Sequence, residues 1–491
     1  MAWKTIYLYI FLLICLQLTA QVQMFNKVFS SDTLNILAPA VLAVEDGGYL
    51  IAHTYNAPNS YEGFGMRKIS QIGETEWFKH LNYGQEEHVM IGGGVLCTTL
   101  DGLFMLVGSK GAEPLVSGGN RDILMIKFDV EGNIIWTKSN GDTDKIENAY
   151  HITPTQDGGY IMCGIQRSFT SSNRFYVLKT DAFGNKEWDR VYNPTQHGSA
   201  FSIFETNAGY IVSGFMKFPI TDTDMFIIEI DKQGNMLWSK NYGGSEIDLA
   251  CLVLPSQNDN SYFILSGIRE NNIRKPFVAK LDSLGNIIWN KLYNMEIGGM
   301  QEAPLLQTLD GGFIGLFGYK IYSNYDIPCI WRFTSTGDTL WTRTIPGLNP
   351  NDDWYLKDIA ATADGGYILS GFNYSEQSSW VVKTDSLGYT CSYIGCDSTA
   401  VIDNVTTPFR YEQQMHIAPN PAQNQVTLYL PAAAAAATGR QLLLYNASGQ
   451  LVRQAALPNY VSQYTFSVAG LPAGIYFCRV GANMQKLVVT W

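Results

Sequence analysis

Apolar positions in this chain recur in short runs separated by Gly, Asp and Asn, and no segment of 12 or more residues keeps a helical period. Between residues 40 and 390 these runs form a repeat. Its first marker is an acidic or amide turn followed by an aromatic that opens an apolar run. Seven copies occur: Asp46-Gly-Gly-Tyr49, Asp101-Gly-Leu-Phe104, Asp157-Gly-Gly-Tyr160, Asn207-Ala-Gly-Tyr210, Asp259-Asn-Ser-Tyr262, Asp310-Gly-Gly-Phe313 and Asp364-Gly-Gly-Tyr367. The aromatics fall 50 to 56 residues apart, a period that marks a repeat architecture. A second marker, Asp-x-x-Gly-Asn before a Trp, keeps the same phase at Asp129 to Trp136, Asp181 to Trp188, Asp231 to Trp238 and Asp282 to Trp289, with Trp77 and Trp341 in divergent copies. An Asp that caps its own turn and a Gly free to adopt positive φ are hairpin chemistry. In the fourth copy the pattern predicts four strands, Ala200 to Glu205, Tyr210 to Phe215, Asp224 to Ile230 and Asn235 to Tyr242. Phe226, Ile228 and Ile230 in the third of these show period-two alternation.

Four antiparallel strands repeated at this spacing predict an all-β fold, a seven-bladed β-propeller. The seventh copy breaks at Tyr389-Thr390-Cys391, where a last strand is due. Met24 to Phe29, ahead of the first marker, has the pattern of that missing strand. The ring is therefore expected to close by pairing this N-terminal strand into the last blade, which removes an exposed sheet edge. The Trp residues are expected to pack between adjacent sheets.

Composition agrees with strands and turns: aromatics are 13%, charged residues 16%, and there are 46 Gly against 18 Pro. A net charge of -11, with Lys and Arg dispersed, argues against a nucleic-acid partner, whose phosphates need cations to neutralise them. Residues 1–20 have one Lys, an apolar stretch and a small residue, Ala20, and read as a signal peptide. No later stretch reaches 18 uncharged apolar residues, so no stable transmembrane segment is expected after its removal. Cys391 and Cys396 are the one close cysteine pair, a possible disulfide in an exported protein.

Candidate chemistry is sparse. The connections between blades, and those between second and third strands, vary in length and are expected to emerge on one face. Acids gather in or beside the blade connections: Glu86, Glu87, Asp142, Asp144, Glu147, Glu246, Asp248, Glu302, Asp352 and Asp353. Such carboxylates can bind a cation or hydrogen-bond a glycan, although solvated loops are acidic without any ligand. The six histidines show no metal-ligand spacing, and no cofactor or catalytic residue is indicated. The expected role is a non-catalytic scaffold that binds a glycan or another surface protein. The alternative is a glycan-active hydrolase with a divergent acidic site, which would need two carboxylates facing one another.

Past a polar linker, residues 392–415, a second pattern starts at His416. Six or seven short strands in about 75 residues predict a small Ig-like β-sandwich over residues 416–491. The opening Ala418-Pro419-Asn420-Pro421, Leu444-Tyr445-Asn446 before Gly449-Gln450, Leu471-Pro-Ala-Gly474-Ile-Tyr476, and Gln485-Lys486-Leu-Val-Val489 follow one another here. In this order they resemble the type A C-terminal sorting domain of the type IX secretion system of Bacteroidota. The resemblance implies an address read by an outer-membrane translocon, with Pro419, Asn420, Pro421, Gly474, Tyr476 and Lys486 in its motifs. It also implies a passenger, residues 21–391, that is secreted or attached to the outer cell surface after crossing the periplasm. That passenger more loosely resembles uncharacterised secreted propeller repeat proteins.

Overall fold

The computed structural model describes residues 24–29, 35–56, 63–81, 86–89, 94–112, 120–168, 171–193, 195–217, 223–243, 248, 252–300, 305–322, 325–345, 347, 354–373, 378–390, 416–418, 420–430, 441–447, 449–457, 463–481 and 483–490. Every regular element among them is a β-strand. No helix among them is long and apolar enough to cross a membrane. The signal-peptide reading of residues 1–20 and the pair Cys391 and Cys396 lie outside the described residues. By Cα proximity the chain divides into two compact units, residues 1–400 and 401–491.

The first unit is a succession of antiparallel meanders. Sheet 1 runs Asn35–Ala43, Tyr49–Asn56, Gly63–Ile69, Thr75–Leu81; in sheet 2 a split first strand, Glu86–Val89 and Leu96–Thr98, precedes Phe104–Ala112, Arg121–Phe128 and Ile134–Asn140. Sheet 3 runs Ile146–Pro154, Tyr160–Arg167, Arg174–Thr180, Lys186–Tyr192, and one parallel pair, Ile146 with Arg121, joins it to sheet 2. Sheet 4 is Gly198–Glu205, Tyr210–Lys217, Thr223–Ile230, Met236–Tyr242, and sheet 5 is Leu252–Pro255, Tyr262–Glu270, Ile273–Leu281, Ile287–Leu292. Sheet 6 splits its first strand into Ile297–Met300 and Leu306–Gln307, then adds Phe313–Tyr322, Tyr325–Phe333 and Thr339–Thr344. Sheet 7 is Trp354–Ala361, Tyr367–Asn373 and Ser378–Thr384, and its fourth strand is Phe25–Phe29, paired antiparallel from Phe25 with Lys383 to Phe29 with Ser379.

Two kinds of contact explain why the repeat keeps its residues. In the Asp-x-x-Gly-Asn turns the Asp carboxylate holds the Asn twice, as at Asp181, which accepts the Asn185 backbone N–H at 2.8 Å and its side-chain amide at 2.9 Å. The Gly of each turn, at φ of 75° in Gly184 and 81° in Gly234, lies under the Trp of the preceding sheet. A Cβ on Gly132, Gly184, Gly234, Gly285, Gly337 or Gly388 would come within 2.9 Å of Trp77, Trp136, Trp188, Trp238, Trp289 or Trp341 respectively. The Trp indoles also donate across the junction, Trp77 to the Val130 carbonyl at 3.1 Å and Trp188 to that of Lys232 at 3.0 Å. At the junction from sheet 7 to sheet 1, Phe25 covers Gly73 in place of a Trp. Phe25 is there part of one buried cluster with Val41, Tyr49, Ile51, Ile69, Ile368 and Val381, residues of sheets 1 and 7.

The second contact lies inside each sheet. A cation near the end of the third strand reaches the Asp of the first marker: Lys68 to Asp46, Lys127 to Asp101 at 2.7 Å, Lys179 to Asp157 at 3.0 Å, Lys280 to Asp259 at 2.9 Å, Arg332 to Asp310 and Lys383 to Asp364 at 2.9 Å. Sheet 4, whose marker carries Asn207, has Glu229 at the cation position. That carboxylate accepts from the Thr206 hydroxyl at 3.1 Å, Trp238 Nε1 at 2.7 Å and the Tyr262 hydroxyl at 2.8 Å. A cation without its Asp would be left buried and unpaired, so both positions change together. Burial alone raises the Asp157 carboxyl, but hydrogen bonds from Thr155, Gly159 and Lys179 outweigh it and hold the group at about 2.

Sheet 1 contains a less well satisfied group. His53 is 1% exposed, both ring nitrogens lack a hydrogen-bond partner, and the ring stacks on Phe78 at 5.4 Å. Burial, reinforced by the charges of Arg67 and His80, pushes it down to about 3. A folded value below the unfolded one means stability present above pH 6.5 and lost as pH falls toward 3, about 1.4 kcal/mol per pH unit. His53→Phe is expected to lose about 2 kcal/mol less than the parent between pH 6.5 and pH 5, read from urea unfolding at the two pH values.

The second unit packs two antiparallel sheets over one core. The three-stranded sheet is ordered His416–Ala418, Gln425–Tyr429, Gln463–Ser467, and the four-stranded one Leu451–Ala456, Gln441–Asn446, Gly474–Val480, Asn483–Val489. Ile417, Val426 and Leu428 from the first meet Leu442, Leu444, Tyr476, Cys478 and Leu487 from the second.

Candidate functional site

A cavity of about 400 Å³ is walled by the first strands of the sheets. Sheet 1 supplies Val41, sheet 2 Leu96 and Cys97, sheet 3 His151 to Pro154, sheet 4 Phe204, sheet 6 Leu306, and sheet 7 Asp358 to Ala361. First strands from six sheets facing one space is the geometry of a central channel.

These first strands are tied to one another by polar side chains placed just after a bulge. The register shifts between Ala149 and His151, between Ala200 and Ser202, and between Leu356 and Asp358. A bulge re-aims the residue that follows it. Here it turns each one onto the next sheet. His151 Nδ1 accepts the Ile203 N–H at 3.4 Å, Ser202 Oγ the Val253 N–H at 2.9 Å, and Asp358 Oδ2 the Val41 N–H at 2.9 Å. The Ile152 N–H donates in the other direction, to the Gly94 carbonyl at 3.0 Å. Sequence reasoning missed all three side chains. Their signal was present: a polar residue eight or nine places before the marker aromatics Tyr160, Tyr210 and Tyr367.

Burial pushes the Asp358 carboxyl up to about 7, against the pull of backbone N–H groups from Val41, Ile359 and Gly94. Burial pushes His151 down to about 4, so it is a neutral imidazole at pH 7. Burial also keeps Cys97 a thiol, raised to about 12. The wall is thus apolar and nearly uncharged, and Asp358 is its single carboxylate among the described residues.

The acids of the blade connections do not gather here. Glu86 and Glu87 lie in the strand Glu86–Val89, paired with Ala112 and Gly111. Asp142 is half-buried and Asp144 exposed, within 3.7 Å of Lys186 and 3.0 Å of Lys145 respectively. Glu147 is fully buried and accepts from Gln166 at 3.1 Å. Burial, then the charges of Asp142 and Asp122, raise Glu147 to about 8. Asp248 is 1% exposed and accepts the Arg269 N–H at 2.9 Å. Glu246, Glu302, Asp352 and Asp353 lie outside the described residues. Among the described residues no group of three or more His, Cys, Asp or Glu is arranged to hold a metal ion.

In the C-terminal unit the motif residues converge on the last strand. Asn420 donates its amide to the Lys486 carbonyl at 2.7 Å and accepts the Val488 N–H at 2.7 Å. After Pro421, Ala422 continues the attachment, its N–H donating to the Val488 carbonyl at 2.8 Å. Gly474 and Tyr476 pair with Val489 and Leu487, and the Tyr476 hydroxyl donates to the Pro472 carbonyl at 2.8 Å. Lys486 is exposed, and Pro419 lies outside the described residues. The opening and closing motifs thus form one structural element. Residues 416–490 match the secretion system C-terminal sorting domain family. A sorting domain at this position supports export of the residues that precede it, to the medium or to the cell surface.

No curated protein matches the chain. Among solved structures it is similar to an α-L-arabinanase of Penicillium chrysogenum complexed with arabinobiose, at 11% identity over 74% of this chain and 98% of that one, TM-score 0.44. It is similar to Drosophila Plexin A in complex with Semaphorin 1b, at 8% identity over 72% and 88%, TM-score 0.40. It is also similar to a protein of unknown function from Dyadobacter fermentans, at 12% identity over 66% and 98%, TM-score 0.38.

Proposed function

We propose that this chain is an exported binding scaffold. Residues 21–391 form a seven-bladed β-propeller closed by the strand Phe25–Phe29, residues 392–415 are a linker, and residues 416–491 are an Ig-like sorting domain. Residues 1–20 direct the chain to the periplasm and the type IX translocon carries it across the outer membrane of a Bacteroidota cell. The mature propeller then works outside the cell, free or attached to the surface, by holding a glycan or a surface protein.

Binding without turnover is supported by one observation above the others. Hydrolysis of a glycosidic bond calls for two facing carboxylates about 5 to 9 Å apart. Asp358 is the one carboxylate on the described cavity wall, and backbone N–H groups of Val41 and Ile359 hold its two oxygens. Such a group stitches sheet 7 to sheet 1. Its replacement should therefore weaken folding and leave no activity to lose.

The test is a reducing-end assay of the full chain and of Asp358→Asn against a panel of surface polysaccharides. The expected result is no new reducing ends from either protein. Reducing ends released by the parent would overturn the binding reading in favour of a hydrolase, and their loss in Asp358→Asn would place that chemistry at the cavity.

A further inference from the structure

Besides the central cavity, a groove of about 710 Å³ lies between sheets 3 and 4, where the marker turns and the Asp-x-x-Gly-Asn turns meet. We propose that this groove binds an uncharged oligosaccharide, an inference that rests on the binding reading and gives it a place and a ligand class.

The groove differs from those beside sheets 2, 4, 5 and 6 along the wall made by the fourth strand. The two residues before the Trp are Ile134 and Ile135 in sheet 2, Met236 and Leu237 in sheet 4, Ile287 and Ile288 in sheet 5, and Thr339 and Leu340 in sheet 6. In sheet 3 they are Lys186 and Glu187, and in sheet 1 Thr75 and Glu76, where Glu76 likewise lies 2.8 Å from the third-strand Lys68. The turn across the groove also brings Lys232 and Gln233, where the equivalent turn of sheet 5 has Ser283 and Leu284. The turn facing sheet 1 has Val130 and Glu131, so it is the pairing of Glu187 with Lys232 and Gln233 across the groove that sets this junction apart.

Those groups are paired with one another. Lys179 lies 3.0 Å from Asp157 and 2.9 Å from Glu187, and Lys232 is bound to Glu205. Glu205 also accepts the Gln156 N–H at 2.7 Å. With Arg190 on the same wall, three cations face three carboxylates. A charged ligand gains little from a groove whose charges cancel. Sugar hydroxyls, which donate and accept together, find both partners already oriented.

Trp188 supplies the apolar part. Its N–H is committed to the Lys232 carbonyl at 3.0 Å and Gly234 lies against part of the ring, so what remains for a ligand is the half-buried outer part of the ring, beside Arg190. A pyranose presents C–H groups on its faces and hydroxyls around its rim, a match for a Trp set among paired charges. The volume is in the range of small-molecule sites, about 300 to 1,000 Å³.

The test probes the full chain on an array of uncharged and acidic oligosaccharides, then titrates the best uncharged binder by calorimetry. Glu187→Leu installs the residue type found in sheet 4, and Gln233→Ala shortens an exposed side chain. Each is expected to weaken binding at least about tenfold. Trp188→Ala should weaken it further, and the first two variants decide the matter where this one folds poorly. Leu237→Ala, at the equivalent place on the next junction, is expected to bind like the parent. Binding of acidic oligosaccharides only, no binding to the array, or equal affinity in Glu187→Leu and Gln233→Ala would each overturn the groove. Binding with equal affinity in those variants would leave the scaffold reading standing with its ligand elsewhere, whereas hydrolysis of the bound sugar would remove that reading itself.

Discussion

Deletion of residues 24–29 is expected to lower the unfolding free energy of the propeller by at least about 4 kcal/mol and to make it self-associate. Phe25 is 3% exposed and stands where the other junctions have a Trp, so its loss uncovers Gly73 and opens the cluster shared by sheets 1 and 7. A buried Phe alone is worth about 3 to 5 kcal/mol. The deletion also frees Trp380, which is fully buried and donates Nε1 to Asn26 at 2.7 Å. The strand Ser378–Thr384 would become an edge with unpaired amides along an apolar surface, a template for another chain. Urea unfolding and light scattering of the deleted protein read both effects.

Removing residues 416–491 is expected to have a larger effect on location and a small one on folding. The two units have separate cores, so the propeller should keep its unfolding midpoint. Without the sorting domain the translocon has nothing to read, and nearly all of the protein should remain in the periplasm. Fractionation and protease treatment of intact cells distinguish the two locations. A truncated protein reaching the medium or surface as the parent does would reject the address. Asn420→Ala is a finer probe of the same idea, because its side chain fastens the opening motif to Lys486 and Val488.

The repeat was legible because its signals are local. A positive-φ Gly within reach of an Asp is written in four consecutive letters, and the strands predicted in the fourth copy fall within two residues of Gly198–Glu205, Tyr210–Lys217, Thr223–Ile230 and Met236–Tyr242. The strand Phe25–Phe29 was found despite a separation of some 350 residues from its partner, because it matches the pattern the seventh copy lacks. The site was not legible in this way. His151, Ser202 and Asp358 look like single polar interruptions of apolar strands until the bulge before each one turns it toward the neighbouring sheet. Glu147 and Asp248 made the blade connections look like an acidic rim, yet both side chains point inward. Charge counts along a loop carry no information on direction. The groove at Trp188 was hidden for another reason: its character lies in Glu187, where sheets 2, 4, 5 and 6 have Ile or Leu, facing Lys232 and Gln233 on the next turn, a combination visible only when equivalent positions are aligned on the sheets.

The central claim, that the ring closes through its N-terminal strand, is tested most directly by hydrogen–deuterium exchange over residues 378–384 in the intact chain. The amides of this strand that point away from Tyr367–Asn373 are predicted to be protected as fully as those that point toward it, because Phe25–Phe29 covers them. Exchange of those amides at the rate of an open sheet edge would contradict the closure.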